Sequence, residues 1–136
     1  METAEMRRRF GAARVARLAT VTAAGRPHVV PCCFALDGDL LYTGVDDVKQ
    51  KSTSALRRLD HVRHEPRVSV LVDHYDDDWS ALWWVRADGT ARVVDADSDD
   101  GRAAWAPLAT KYEQYRSQAT PGPVIVVAVD RWRAWP

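Results

Sequence analysis

Trp83 and Trp84 stand side by side in "SALWWVRADGTARVV", residues 80–94, a segment rich in the aromatic and β-branched residues that favour strands. Successive strand residues point to opposite faces of a sheet. A sheet with bulky apolar surface on both faces at one point must be covered twice. Its own core can cover one face; a second layer, a partner subunit or a flat ligand has to cover the other.

The remaining segments extend this β reading. "RVARLATVT" (14–22), "RPHVVPCCFAL" (26–36) and "DLLYTGV" (39–45) are separated by "AAG" and "DG", which predicts an antiparallel meander of three strands and two hairpins. Pro31 has no N–H to give a ladder, so the second strand is expected to carry a bulge or lie at an edge, with backbone groups free to face something else. "RVSVLVDHY" (67–75) alternates as a strand, residues 80–94 read as a hairpin around Asp88 and Gly89, and "GPVIVVAVDRWRAW" (122–135) reads as a long final strand. Helices are predicted in three places. Residues 2–11 place Met6 and Phe10 at helical spacing before Gly11. Residues 46–66 carry candidate caps at Asp46, Asp47, Ser52 and Thr53 and stop before Pro66, and residues 98–115 have helical spacing interrupted by Pro107. Six or seven antiparallel strands with two or three helices make a closed or half-closed barrel. With 136 residues, one domain over 1–136 suffices.

Lys plus Arg and Asp plus Glu both number 19, so no basic excess points to nucleic acid or an anionic membrane. The N-terminus lacks the apolar stretch of a signal peptide and no segment is long enough to span a bilayer, which gives a cytoplasmic reading. Cys32 and Cys33 have neither metal-ligand nor disulfide spacing and read as two small apolar side chains on opposite faces. His28, His61, His64 and His74 form no zinc motif, "DHYDDD" lacks the pattern of a calcium loop, and no metal site is expected. There is no nucleophile triad and no glycine-rich phosphate loop.

One segment has chemistry of its own. In "VKQKSTSALRRL", Lys49 and Lys51 lie at the start of a helix, where the macrodipole is positive and cations are disfavoured. With Ser52 and Thr53 beside them, they could hold an anion through ammonium groups, hydroxyls and free amides. The same pattern also suits two solvated lysines on a helix capped by Asp46 and Asp47.

The order "GRPHVVPCCFALDGDLLYTGVD", "KQKSTSALRRL", "EPRVSVLVDHYDDDWSALWWVRADGTARV" and a final Trp-bearing strand resembles the pyridoxamine-phosphate-oxidase-like split-barrel flavoproteins, and more narrowly their actinobacterial branch that uses deazaflavin F420. That resemblance implies a split β-barrel homodimer with two cofactor sites at the subunit interface. It implies a phosphate anchor at Lys49, Lys51, Ser52 and Thr53, and a ring lying along Pro27, His28, Val29, Val30 and Pro31, contacted mainly by their backbone. It also implies that Trp79, followed by Ser80, reaches the site from the neighbouring subunit. The activity implied is hydride transfer from reduced F420 to an unsaturated small molecule, with a proton from water, His28 or Tyr42. FMN chemistry on the same fold, or a flavin or haem binder without turnover, are the alternatives. Trp132 reads as core more readily than as ligand. Arg131 and Arg133 lack the C-terminal pattern of true pyridoxamine phosphate oxidases, which speaks against vitamin B6 oxidation.

Overall fold

The computed structural model describes residues 1–46 and 53–136, with side chains from residue 56 onward in the second stretch. In chain order the elements are α1 (Thr3–Ala12), β1 (Ala16–Val21), β2 (Pro27–Cys32), β3 (Ala35–Asp37), β4 (Leu40–Gly44), α2 (Thr53–His64), β5 (Arg67–His74), β6 (Trp83–Val94), α3 (Asp99–Lys111) and β7 (Val124–Trp135). Short 3-10 turns occupy Trp79–Ala81 and Glu113–Tyr115.

Among the described residues seven antiparallel strands form one sheet in the order β2-β1-β5-β6-β7-β4-β3. Its two outermost strands, β2 and β3, are joined in sequence by only Cys33 and Phe34. A sheet whose opposite edges are two residues apart in the chain must curl round on itself, and the result is the expected split barrel. At the crossing, the Phe34 N–H donates to the Tyr112 hydroxyl at 3.1 Å, and that hydroxyl donates to the Arg14 carbonyl at 2.9 Å.

Three readings of the sequence need correction. The segment 26–36 is two strands, since the chain leaves β2 after Cys32 to pair with β4 on the far side of the barrel. Residues 83–94 form one continuous strand instead of a hairpin, because Asp88 and Gly89 lie at a bulge in the β6–β7 ladder and make no turn there. A Cβ on Gly89 would lie 2.2 Å from the Ala128 carbonyl oxygen, so glycine is there for a close backbone approach. Gly11 does not end α1: the helix continues to Ala12 and leaves through extended Ala13, whose N–H donates to the Phe10 carbonyl at 3.2 Å. The two predicted hairpin turns hold, with Gly25 and Gly38 at positive φ.

The barrel interior is a single apolar cluster that includes Phe10, Leu18, Phe34, Leu41, Val62, Val70, Val85 and Val127. A second cluster lies outside the barrel, where α3 covers β3, β4 and the start of β7 through Trp105, Leu108, Tyr112 and Tyr115. Cys32 belongs to the first cluster and Cys33 packs on the second, as strand alternation predicts. The β7 bulge also flips alternation, turning Trp132 and Ala134 inward; Trp132 meets Phe10 edge-on at 5.3 Å and is core.

Candidate functional site

Among the described residues no helix lies over the outer face of β1, β5 and β6. Along β1 the residues Ala16, Leu18 and Thr20 point in and Arg17, Ala19 and Val21 point out; β5 turns Val68, Val70 and Val72 in and Arg67, Ser69, Leu71 and Asp73 out. On β6, Trp83 packs against the barrel core under the guanidinium of Arg9, 5.2 Å from its ring, whereas Trp84 faces outward. The two tryptophans therefore serve opposite faces.

Trp84 lines a groove of ≈ 480 Å³ with Arg17, Ala19, Val29, Ser69, Leu71, Asp73 and Arg86. A second groove of ≈ 580 Å³ adjoins it through Ala19, Ser69 and Arg86, and ends at Arg67 and Arg131. Between them Asp88 accepts from the Ser69 hydroxyl at 2.7 Å and from two nitrogens of Arg86 at 2.9 and 3.1 Å. Burial alone would raise the Asp88 pKa, but the bonds from Ser69 and Arg86 and the charges of Arg86 and Arg131 hold it below the usual range. The floor thus carries a paired Arg86 and Asp88 at one end and is apolar from Ala19 to Leu71. Of the groove residues the sequence reading names Val29 and Trp84, and it does not single out Arg17, Ala19, Ser69, Leu71, Asp73 or Arg86. Their signal was the period-two alternation of small and polar residues in 17–21 and 67–73.

The edge strand β2 borders this face. The Thr22 N–H donates to the Arg26 carbonyl at 2.9 Å, which makes that pair a hydrogen-bonded one and fixes the parity of the whole β1–β2 ladder. Pairs Thr20–His28, Leu18–Val30 and Ala16–Cys32 then exchange hydrogen bonds, and Pro27, Val29 and Pro31 direct their backbone groups away from β1. The position of Pro31 is explained: its missing donor faces outward. No described strand pairs with this edge, and along Pro27, Val29 and Pro31 the one N–H it offers is that of Val29, whose side chain is 61% exposed.

His28 and Val30 take the inward side. The His28 ring meets His61 of α2 edge-on at 4.8 Å, its Nδ1 is buried with no hydrogen-bond partner among the described residues, and His61 Nδ1 lies 3.0 Å from the Thr20 hydroxyl. Burial and then the neighbouring His28 lower the His61 pKa below that of a free imidazole. Tyr42 lies under α3 in the second core, with its pKa raised by burial.

Of the predicted site residues, the structure thus brings Pro27, His28, Val29, Val30 and Pro31 together on one edge strand. Trp79 is 70% exposed on its turn, and Ser80 is committed locally, since its N–H and hydroxyl both donate to Asp78. No described contact links these two to β2 within one chain. Lys49, Lys51 and Ser52 lie outside the described residues, and of Thr53 only its place as the first residue of α2 is described. Among the described residues no cluster of His, Cys, Asp and Glu is arranged to hold a metal, and no helix is long and apolar enough to cross a membrane.

The family model for pyridoxamine 5'-phosphate oxidase matches residues 2–136. The chain belongs to that family. Solved structures with the same fold include a conserved hypothetical protein from Mycobacterium tuberculosis, with 20% identity, TM-score 0.75 and coverage of 99% of this chain and 84% of that one. The haem storage protein of Vibrio cholerae matches with 16% identity and TM-score 0.68 over 97% of this chain and 89% of its own. An FAD-binding protein from Mesorhizobium loti matches with 21% identity and TM-score 0.64 over 98% and 94%. At these identities the likeness is one of fold. No curated protein matches the chain in sequence.

Proposed function

We propose that this pyridoxamine 5'-phosphate oxidase family member is an oxidoreductase in which reduced deazaflavin F420 passes a hydride to an unsaturated small molecule. The observation that carries the reading is the free edge of β2, where two prolines and one unspent amide border an apolar groove. Such an edge suits a flat ring held by backbone. A bound deazaflavin would supply the hydride chemistry, while the protein binds, orients and shields it.

The roles of the chain's own residues follow. Lys49, Lys51, Ser52 and Thr53 hold the phosphate of the cofactor, and β2 fixes the position of its ring. The proton for the acceptor comes from water. Tyr42 is sealed under α3, and the His28 ring turns inward toward His61, away from the open edge. The protein works as a homodimer in the cytoplasm, with two copies packing through the uncovered faces of β1, β5 and β6. Val29, Leu71 and Trp84 give that face its apolar surface, and exposed Trp79 with Ser80 covers the partner's site.

FMN in place of F420 is the second reading, favoured by the fold shared with an FAD-binding protein. A haem binder without turnover is the third, on the fold shared with a haem storage protein. Titrating the purified protein with F420, FMN and haemin by fluorescence separates the three. Saturable F420 binding that falls by at least about tenfold in the Lys49→Glu/Lys51→Glu variant is the expected result, since two cationic contacts to phosphate are reversed. Haemin binding alone would replace this proposal with the third reading.

A further inference from the structure

We infer that Lys111 is an acylation site: its ε-amine, at the C-terminal end of α3, is placed to take an acyl group from an activated donor of the thioester class. The inference stands apart from the cofactor reading, since Lys111 belongs to the half of the barrel that α3 covers.

Lys111 is half-buried. Its Nζ donates to the Gly11 carbonyl of α1 at 3.1 Å and stands 3.8 Å from the centre of the Phe34 ring and 5.4 Å from that of Tyr112. Beyond α1, charged and titratable groups face the amine from two directions. From the segment after α1 comes Arg14, whose guanidinium lies 4.7 Å from the centre of the Tyr112 ring and donates to the Lys111 carbonyl at 3.1 Å. From the end of β2 and the crossover to β3 come the thiols of Cys32 and Cys33. Among the described residues no carboxylate pairs with the amine.

An ammonium in this place loses water, gains a single carbonyl acceptor and meets a like charge. Burial and then the Arg14 guanidinium therefore favour the neutral amine, while the two thiols act the other way, and the pKa is pushed down from an ordinary 10.5 to about 8. About one Lys111 amine in ten is then neutral at pH 7, against roughly one in three thousand for an ordinary lysine. Only the neutral amine has a lone pair to attack with. In the step, the Lys111 nitrogen attacks the thioester carbonyl carbon, an N–C bond forms, the C–S bond breaks, and the donor leaves as a thiol that carries off the amine's proton. The product is an uncharged amide, and the positive charge over Phe34 is lost. The rival reading is an ammonium that only ties α3 to α1 and to Phe34.

The chain has three lysines, Lys49, Lys51 and Lys111, so the comparison is internal. Purified protein is treated with limiting phenyl thioacetate, an uncharged thioester, and the initial acetylation rate of each lysine is read by peptide mass spectrometry over a range of pH. At pH 7.5 Lys111 should react at least about fivefold faster than Lys49 or Lys51, and its rate should level off above about pH 8 while theirs go on rising. In concentrated urea the three rates should become equal, because the fold creates the difference. A native Lys111 rate at or below those of Lys49 and Lys51, or a Lys111 lead that persists in urea, would overturn the inference and leave the ammonium as a structural tie.

Discussion

The outer face of the sheet has two halves that were treated differently. Over β3, β4 and the start of β7 it is sealed by α3: Trp105 is 8% exposed, donates its indole N–H to the Gly122 carbonyl at 3.0 Å, and stands so close to β4 that a Cβ on Gly44 would lie 2.4 Å from its ring. Over β1, β5 and β6 the same face is bare of any described residue, with Trp84 and Leu71 in open grooves beside the edge of β2 that no described strand pairs. One half is finished within the chain; the other is the face through which the proposed cofactor and second copy would pack.

The sealed half should be the more costly to disturb. Trp105→Ala removes a buried indole and should destabilise the protein by about 3–5 kcal/mol, measured by urea unfolding. Gly44→Ala at the same contact forces Trp105 to move and should cost about 1–3 kcal/mol. A much smaller loss in both would show that α3 is not a structural lid. On the bare half, Leu71→Glu should leave the intrinsic fold within about 1 kcal/mol, as expected for a position open to solvent in the single chain. It should nonetheless convert dimer to monomer in sedimentation and remove the concentration dependence of Tm. Unfolding comparable to that of Trp105→Ala would erase the contrast between the halves.

The smallest effect concerns the inner side of β2. Because the His61 pKa is lowered on folding, the unfolded chain binds more protons there as pH falls through 6.5, so this contribution to stability is present at neutral pH and lost on acidification. Wild-type Tm should drop between pH 7.5 and 5.5, and His61→Gln should drop less over the same interval. Parallel curves would mean that the contact between His28 and His61 does not govern the acid response.

Much of this architecture was legible in the chain. The alternation in 67–75, the turn glycines at 25 and 38, and the misplaced donor of Pro31 predict strands, hairpins and an edge, because each follows from local backbone chemistry. The adjacent tryptophans likewise predict apolar surface on both faces, and the structure places Trp83 on the core and Trp84 in an outer groove. What escaped was non-local. Nothing in "RPHVVPCCFAL" says that its end crosses to the far edge of the sheet, and "ADGT" has the composition of a turn until β7 lies against Gly89. Among the groove residues Ser69 comes from β5 and Arg86 and Asp88 from β6, and only the β5–β6 register brings Ser69 to Asp88. The family resemblance led to β2, whereas the choice of Val29 within it required the ladder parity.

The central claim is that a flat redox cofactor docks on the open edge of β2. Amide hydrogen exchange at Val29, followed by NMR with and without saturating F420 or FMN, tests it most directly. The account predicts that exchange at this amide, fast in the free protein, slows by more than about tenfold on binding, as for a newly made hydrogen bond. Saturable binding with the Val29 exchange rate unchanged would contradict it.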